Sequence, residues 1–397
     1  MKVLFVLKTF PVLSETFIVN QITSLIDLGV DVSIFSYDIG GNSKAYSGLV
    51  KKYNLCSKTT YLANPQPLII RILNFFKFIL LNLFKLKIEH FRNIRKLYQY
   101  ENILVDSFDV VHCHFADQAN VFANDFINTT FFSKAKKICT FHGFDLIPSK
   151  IDHYKEDYKN LLTFIDVFTY NTPYLGNILF DLNPYLRTFQ LPVGFNKEFL
   201  QPFKTKKQTA ENLKLLFCGR LVNWKGCYEL IDIMQYLVEK NETKIILDII
   251  GDGPEAYNLK KLLDNNPELK KQVNIKGAQS QEEVFKAMND ADIFLFPGKV
   301  EEVTGRAETQ GLVVQEAQFF NLPVIVSDAG GTKYGLLDRQ SGFVVKSGDI
   351  SGFAEKILFF KNNRKNITEF GQAGYKFVME NYSSEKLGKL LLKIYKK

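Results

Sequence analysis

Tryptophan occurs once in the 397 residues, methionine four times and cysteine five times. The thiols Cys56, Cys113, Cys139, Cys218 and Cys227 are scattered and odd in number, and no CxxC pair or Cys/His cluster has metal-ligand spacing. That pattern excludes a disulfide framework and a structural zinc site, and it predicts buried thiols in a reducing compartment. No stretch of about 18 uncharged apolar residues occurs, which argues against a membrane-spanning helix. The opening MKVLFVLKTF holds a five-residue apolar run, too short for a secretory h-region and followed by no small-residue cleavage site. A first β-strand and a cytoplasmic location are expected instead. No G-x-G-x-x-G follows any candidate strand, which disfavours a dinucleotide-dependent dehydrogenase. Asp252 in IIGDGP belongs to no DxD pair and reads as a turn residue between two glycines. His112 and His114 share one face of a strand but have no third ligand at sensible spacing, so no metal and no cofactor is expected.

An excess of charge of one sign is also scarce outside a single window. The net charge is +8, and residues 65–100 hold Arg71, Lys77, Lys85, Lys87, Arg92, Arg95 and Lys96 against Glu89 alone. The rest of the chain is close to neutral, which excludes a diffuse nucleic-acid-binding surface.

What is present is an alternation of short apolar runs with amphipathic helical stretches. Strands are predicted at 3–7, 32–36, 110–114, 138–141, 167–170 and 188–191. After residue 204 the pattern restarts, with strands at 214–218, 244–250, 273–276, 293–296 and 324–327. Helices are predicted between them, at 15–28, 226–239, 281–289 and 312–320. Near-continuous apolar strands separated by helices make a parallel sheet covered on both faces. Meeting the pattern twice predicts an α/β protein of two doubly wound, Rossmann-like domains facing across a cleft. The Pro- and Lys-rich segment 191–212 is the expected linker, dividing domain 1–200 from domain 201–382. An amphipathic stretch within 383–397 is expected to pack back on the first domain.

Two motifs carry chemistry. In LLFCGRLVNWKG (215–226) a strand ends at Gly219, with Arg220 at its carboxyl end and Lys225 just before a helix. A planar guanidinium fork and a compact ammonium at one strand-to-helix turn suit a diphosphate. Two solvated surface cations flanking a turn would look the same in sequence. In RAETQGLVVQEAQFFNLPVIVSD (306–328), Glu308 and Glu316 stand with seven residues between them. Gly311 allows close backbone approach, and the amides of Gly311, Leu312 and Val313 would form an anion site at the helix start. Glu308 would suit sugar hydroxyls and Glu316 ribose hydroxyls, although both also read as ordinary first-turn acids.

G-R-L-x3-K-G followed by IIGDGP (249–254) and E-x7-E resembles the donor domain of family 4 of the retaining glycosyltransferases, which have the GT-B fold. FPVLSETFI (10–18) and TFHGFD (140–145) are similar to a subgroup that builds extracellular or capsular polysaccharides. The resemblance implies that Arg220 and Lys225 bind the donor diphosphate and stabilise the departing phosphate. It implies that Glu308 contacts the donor sugar, that Glu316 holds the ribose, and that His142 stands beside the sugar at the reaction centre. The turn of Lys276, Gly277 and Ala278 resembles the loop whose backbone reads the nucleobase. The family often continues Gly-Gly-x-Pro-Glu where this chain reads AGGTKYG (329–335), which leaves Lys333 and Tyr334 without an implied role. Ser14 reads as a helix N-cap, and Ser14, Glu15, Thr16 and Asp145 are candidates for the acceptor or phosphate side. The implied reaction moves a sugar from a UDP- or GDP-sugar to a glycan or lipid-linked acceptor, retaining anomeric configuration. Residues 68–97 form a basic, apolar segment that suits either a helix pair within the first domain or in-plane contact with an anionic membrane. An epimerase or hydrolase on the same architecture, and a non-catalytic glycan- or membrane-binding module, are the competing readings.

Overall fold

Strands that are apolar without alternation must be covered on both faces, and each sheet here is sandwiched between helices. The computed structural model describes residues 1–12, 15–41, 48–62, 76, 79–80, 98–104, 106–205 and 211–397. Apart from positions 76, 79 and 80, the basic segment 68–97 lies outside the described residues, as does Ser14.

The first domain holds β1 (Lys2–Phe10), β2 (Asp31–Ile39), β3 (Thr59–Tyr61), β4 (Val110–His114), β5 (Lys136–Phe141), β6 (Val167–Tyr170) and β7 (Thr188–Gln190). They pair in parallel in the order β3-β2-β1-β4-β5-β6-β7. The second holds β8 (Leu213–Cys218), β9 (Ile245–Ile250), β10 (Val273–Gly277), β11 (Ile293–Phe296), β12 (Val324–Ser327) and β13 (Gly342–Val345). These pair in parallel as β10-β9-β8-β11-β12-β13. In both sheets the chain reverses direction of growth beside its first strand, between β1 and β4 and between β8 and β11. Ligand crevices form at such switch points, beyond the carboxyl ends of the strands.

β3 and β13 add edge strands beyond those read from the sequence. β3 is only three residues long, and β13 opens on Gly342, so neither makes a strong apolar run. Cys113, Cys139, Cys218 and Cys227 are buried, but Cys56 is exposed. It departs from the expected burial because it falls in a short surface turn, Leu55–Lys58, with only Leu55 directed inward. Among the described residues no helix is long and apolar enough to cross a membrane.

The chain crosses between domains twice. Leu191 packs in the first core and Phe195 in the second, so the forward crossing lies between them. The return follows Tyr382, which belongs to the second core. Its carbonyl accepts the Phe195 amide at 3.1 Å, and the Phe195 carbonyl accepts the Ser384 amide at 2.9 Å. The two crossings are thereby stitched together. The last helix, Ser384–Lys396, then buries Leu391, Ile394 and Tyr395 in the first core, against the helix Thr16–Asp27.

Candidate active site

The carboxyl ends of the two sheets face each other across a cleft of about 700 Å³. Its walls include Glu15, Thr16, Phe17, Phe115, His142 and Asn171 from the first domain. Gln279, Ser280, Glu308, Thr309, Gly311, Leu312 and Glu316 line the second-domain side.

On that side β8 ends at Cys218, and the chain turns through Gly219 and Arg220 into a short 3-10 turn, Asn223–Lys225. The turn aims Lys225 at Glu308: Nζ and Oε2 lie 3.0 Å apart, with both side chains largely buried. Burial works against a charged Glu308, but Lys225 and the backbone amides of Gln310 and Gly311 outweigh it and hold the carboxyl below its usual range. Arg220 is exposed beside this turn. Among the described residues its guanidinium has no hydrogen bond or ion pair.

Gly311 precedes the helix Leu312–Phe319 with φ +71°, a left-handed conformation that glycine adopts without strain. Leu312 and Val313 are the first helical residues, so their amides have no partner within the helix. With the helix dipole they form a place for negative charge at the cleft wall. Glu316, one turn further on, faces the cleft, and burial raises its carboxyl to about 7.

On the opposite wall, His142 follows β5. Its Nε2 lies 3.0 Å from Nδ1 of His114, and its ring packs against Phe17 and Phe115. Burial depresses its pKa to about 3, so the imidazole is neutral near pH 7. His112, two residues back on β4, bonds Tyr395 Oη at 2.8 Å and Thr140 Oγ1 at 2.7 Å. The two strand histidines thus serve a buried polar network. Among the described residues no three His, Cys, Asp or Glu side chains are grouped to hold a metal.

The other candidate residues divide between the cleft, the buried interior and the exposed surface. Asp145 is not on the acceptor or phosphate side: it is fully buried, and its carboxylate accepts the amides of Ala116, His142 and Gly143 at 2.7, 3.0 and 2.9 Å. A short loop after a buried strand leaves amides that need an acceptor, and Asp145 supplies it. The Lys276 side chain pairs with Asp248 at 2.7 Å. Gly277 ends β10 and Ala278 is exposed, while the next residues, Gln279 to Gln281, line the cleft. Glu15 and Thr16 do line it, and burial raises the Glu15 carboxyl to about 7 against the opposing pull of Lys8.

Residues that sequence reasoning missed join the two walls. Thr309 Oγ1 donates to the His142 carbonyl at 2.9 Å and accepts from Asn171 Nδ2 at 3.1 Å. Thr172 Oγ1 donates to the Thr309 carbonyl at 2.6 Å, and Gln310 exchanges two bonds of 2.8 Å with the backbone of Val193. Thr309 and Gln310 stand between the paired acids, and that position was the one available signal.

Residues 200–377 match the family described as Glycosyl transferases group 1. The chain is 24% identical over 374 residues to the putative colanic acid biosynthesis glycosyltransferase WcaL of Escherichia coli, covering 91% of this chain and 90% of that one. It is 26% identical over 385 residues to the amylovoran biosynthesis glycosyltransferase AmsK of Erwinia amylovora, covering 92% of each. Among solved structures, Anabaena HepE in complex with UDP superposes with a TM-score of 0.73 at 15% identity, covering 99% of both chains. That likeness establishes the architecture as GT-B.

Proposed function

The chain is a glycosyltransferase whose second domain belongs to the glycosyl transferases group 1 family, and from that premise we propose that the cleft transfers a sugar with retention from a UDP- or GDP-sugar to a glycan or lipid-linked glycan. The observation that carries this reading is the Lys225–Glu308 pair at 3.0 Å, set beside the unpartnered start of the helix Leu312–Phe319. Colanic acid and amylovoran, made with the help of the relatives, are the reason for placing the product among surface polysaccharides.

In this reading Lys225, Arg220 and the amides of Leu312 and Val313 hold the diphosphate. Glu316 accepts hydrogen bonds from the ribose, and the turn from Gly277 to Gln281 borders the base. Glu308 holds hydroxyls of the donor sugar, with Lys225 fixing its orientation. As the bond from sugar to phosphate stretches, negative charge grows on the diphosphate, where preset cations and dipoles stabilise it without rearranging. The acceptor hydroxyl enters from the His142 wall and attacks the face that the phosphate leaves, and the departing phosphate takes its proton. No protein nucleophile is needed. The cations of the chain take the place of a metal.

A panel of UDP- and GDP-sugars in thermal-shift assays, followed by product analysis, tests the reading. A bound donor raises the melting temperature by mass action. No shift with any donor would remove the proposal, and free sugar or an isomer formed without acceptor would mark a hydrolase or epimerase. Residues 68–97 are proposed to touch anionic lipid at a membrane surface. Flotation with anionic liposomes but not neutral ones is the expected result, and equal recovery in the soluble fraction contradicts it.

A further inference from the structure

Arg306 stands two residues before Glu308, between aromatic rings from opposite domains. Its Cζ lies 5.1 Å from the centroid of Phe144 and 5.3 Å from that of Trp224. Phe144 lines the cleft two residues after His142 and is 69% exposed. Trp224 directly precedes Lys225.

The backbone that carries Arg306 is fixed from both sides. The Ser149 amide donates to the Thr304 carbonyl at 3.2 Å, and Tyr174 Oη donates to the Gly305 carbonyl at 3.3 Å. Within the loop, the Arg306 amide donates to Thr304 Oγ1 at 3.2 Å, and its carbonyl accepts the Glu301 amide at 2.8 Å. The side chain is therefore placed by a built loop, yet its charge is unanswered. Nε is buried with no hydrogen-bond partner, and among the described residues the guanidinium makes no ion pair.

Aromatic faces attract a cation by about 0.5–2 kcal/mol, but they satisfy none of its N–H groups. A buried, unpaired donor is costly, and the edge of the guanidinium is left without an acceptor. A carboxylate or phosphate fits that edge through paired, charge-assisted bonds. The donor diphosphate is already served by Lys225 and the helix amides. Phe144, on the wall from which the acceptor arrives, packs against this second cation.

We propose that Arg306 is the recognition site for an acidic group on the acceptor, a uronic-acid carboxylate or a phosphate. The inference rests on the transferase reading and names the acceptor chemistry of the same cleft. It gives the interdomain stacking a purpose: Phe144 and Trp224 hold the guanidinium plane so that its edge faces the entering glycan. Selectivity then follows from charge, because a neutral acceptor leaves the buried donor unanswered.

Trp224 is the single tryptophan of the chain, so its fluorescence reports on this site directly. Methyl glucuronide, glycerol phosphate and neutral methyl glucoside would each be titrated into the full-length protein, with and without saturating UDP. The expected result is a saturable change with the carboxylate or the phosphate probe, persisting when UDP fills the donor site, and no change with the glucoside. The probe that responds identifies the source of the oxyanion. Arg306→Gln should weaken the response by about tenfold or more, the scale of a charge-assisted bond. If that variant does not fold, raised ionic strength on the wild type serves instead, since added salt screens the contact. Equal response to acidic and neutral probes, no response to either acid, loss of the response on adding UDP, or indifference to Arg306→Gln and to salt would each overturn the proposal. Failure of the transferase reading shows separately, as absence of any UDP- or GDP-induced thermal shift.

Discussion

Thr309 and His142 belong to different domains, and the hydroxyl of the first donates to the carbonyl of the second at 2.9 Å. The residue after His142 is Gly143, at φ +102°, and a Cβ added there would stand 2.1 Å from Thr309 Cγ2. Gly143→Ala therefore meets both a strained backbone and a clash at the domain contact. We expect it to cost about 1–3 kcal/mol and to part the two walls. Thermal unfolding and turnover should fall together, and a variant with both unchanged would show that the contact does not set the cleft.

Glu316 connects the site to pH. Burial raises its carboxyl from 4.5 to about 7, so the folded protein favours the protonated form. Its contribution to stability is fully present below pH 4.5 and is lost as pH rises through about 7. Ribose hydroxyls donate better to the charged form, so bound nucleotide pulls the other way. The dissociation constant for UDP should fall with rising pH below about 7, by at most about tenfold per unit. Glu316→Gln should bind UDP more weakly, and over that interval its affinity should follow pH less steeply than that of the wild type. Calorimetric titration at several pH values checks both, and an identical slope in the variant would remove Glu316 from the ribose contact.

Tyr395 on the last helix holds His112 Nδ1 at 2.8 Å, in a network that continues to Thr140 and Thr169. Tyr395→Phe leaves a buried ring nitrogen without its partner. The expected loss is about 1–3 kcal/mol of stability, read as a lower melting temperature. An unchanged melting temperature would mean that the helix is held by its apolar face alone.

With Lys225, Arg220 and helix amides as the source of positive charge, transfer should continue in EDTA at the rate seen without it. A rate that collapses on chelation and recovers with added magnesium or manganese would contradict the proposed division of labour.

The fold was readable because buried parallel strands leave uninterrupted apolar runs, as in the LKLLFC of β8 and the IFLF of β11. Edge strands β3 and β13 were not readable, being short and half-covered. At the site, Lys225 and Glu308 were singled out by their motifs together with the family resemblance, because the spacing of either motif alone is weak. Asp145 misled because a buried carboxylate that accepts three backbone amides has the same letter as one that meets substrate. Thr309, Asn171 and Arg306 were silent for another reason. Their partners are between 82 and 167 residues away, and no local periodicity reports a contact of that range.

The central claim is that Lys225 grips the donor diphosphate. Calorimetric titration of UDP and GDP into the wild type and Lys225→Ala, paired with turnover of whichever donor binds, tests it most directly. The account predicts one saturable site in the wild type, affinity weakened by roughly tenfold or more in the variant, and turnover lowered by roughly 100-fold or more. Equal affinity and near-wild-type turnover in Lys225→Ala would contradict it.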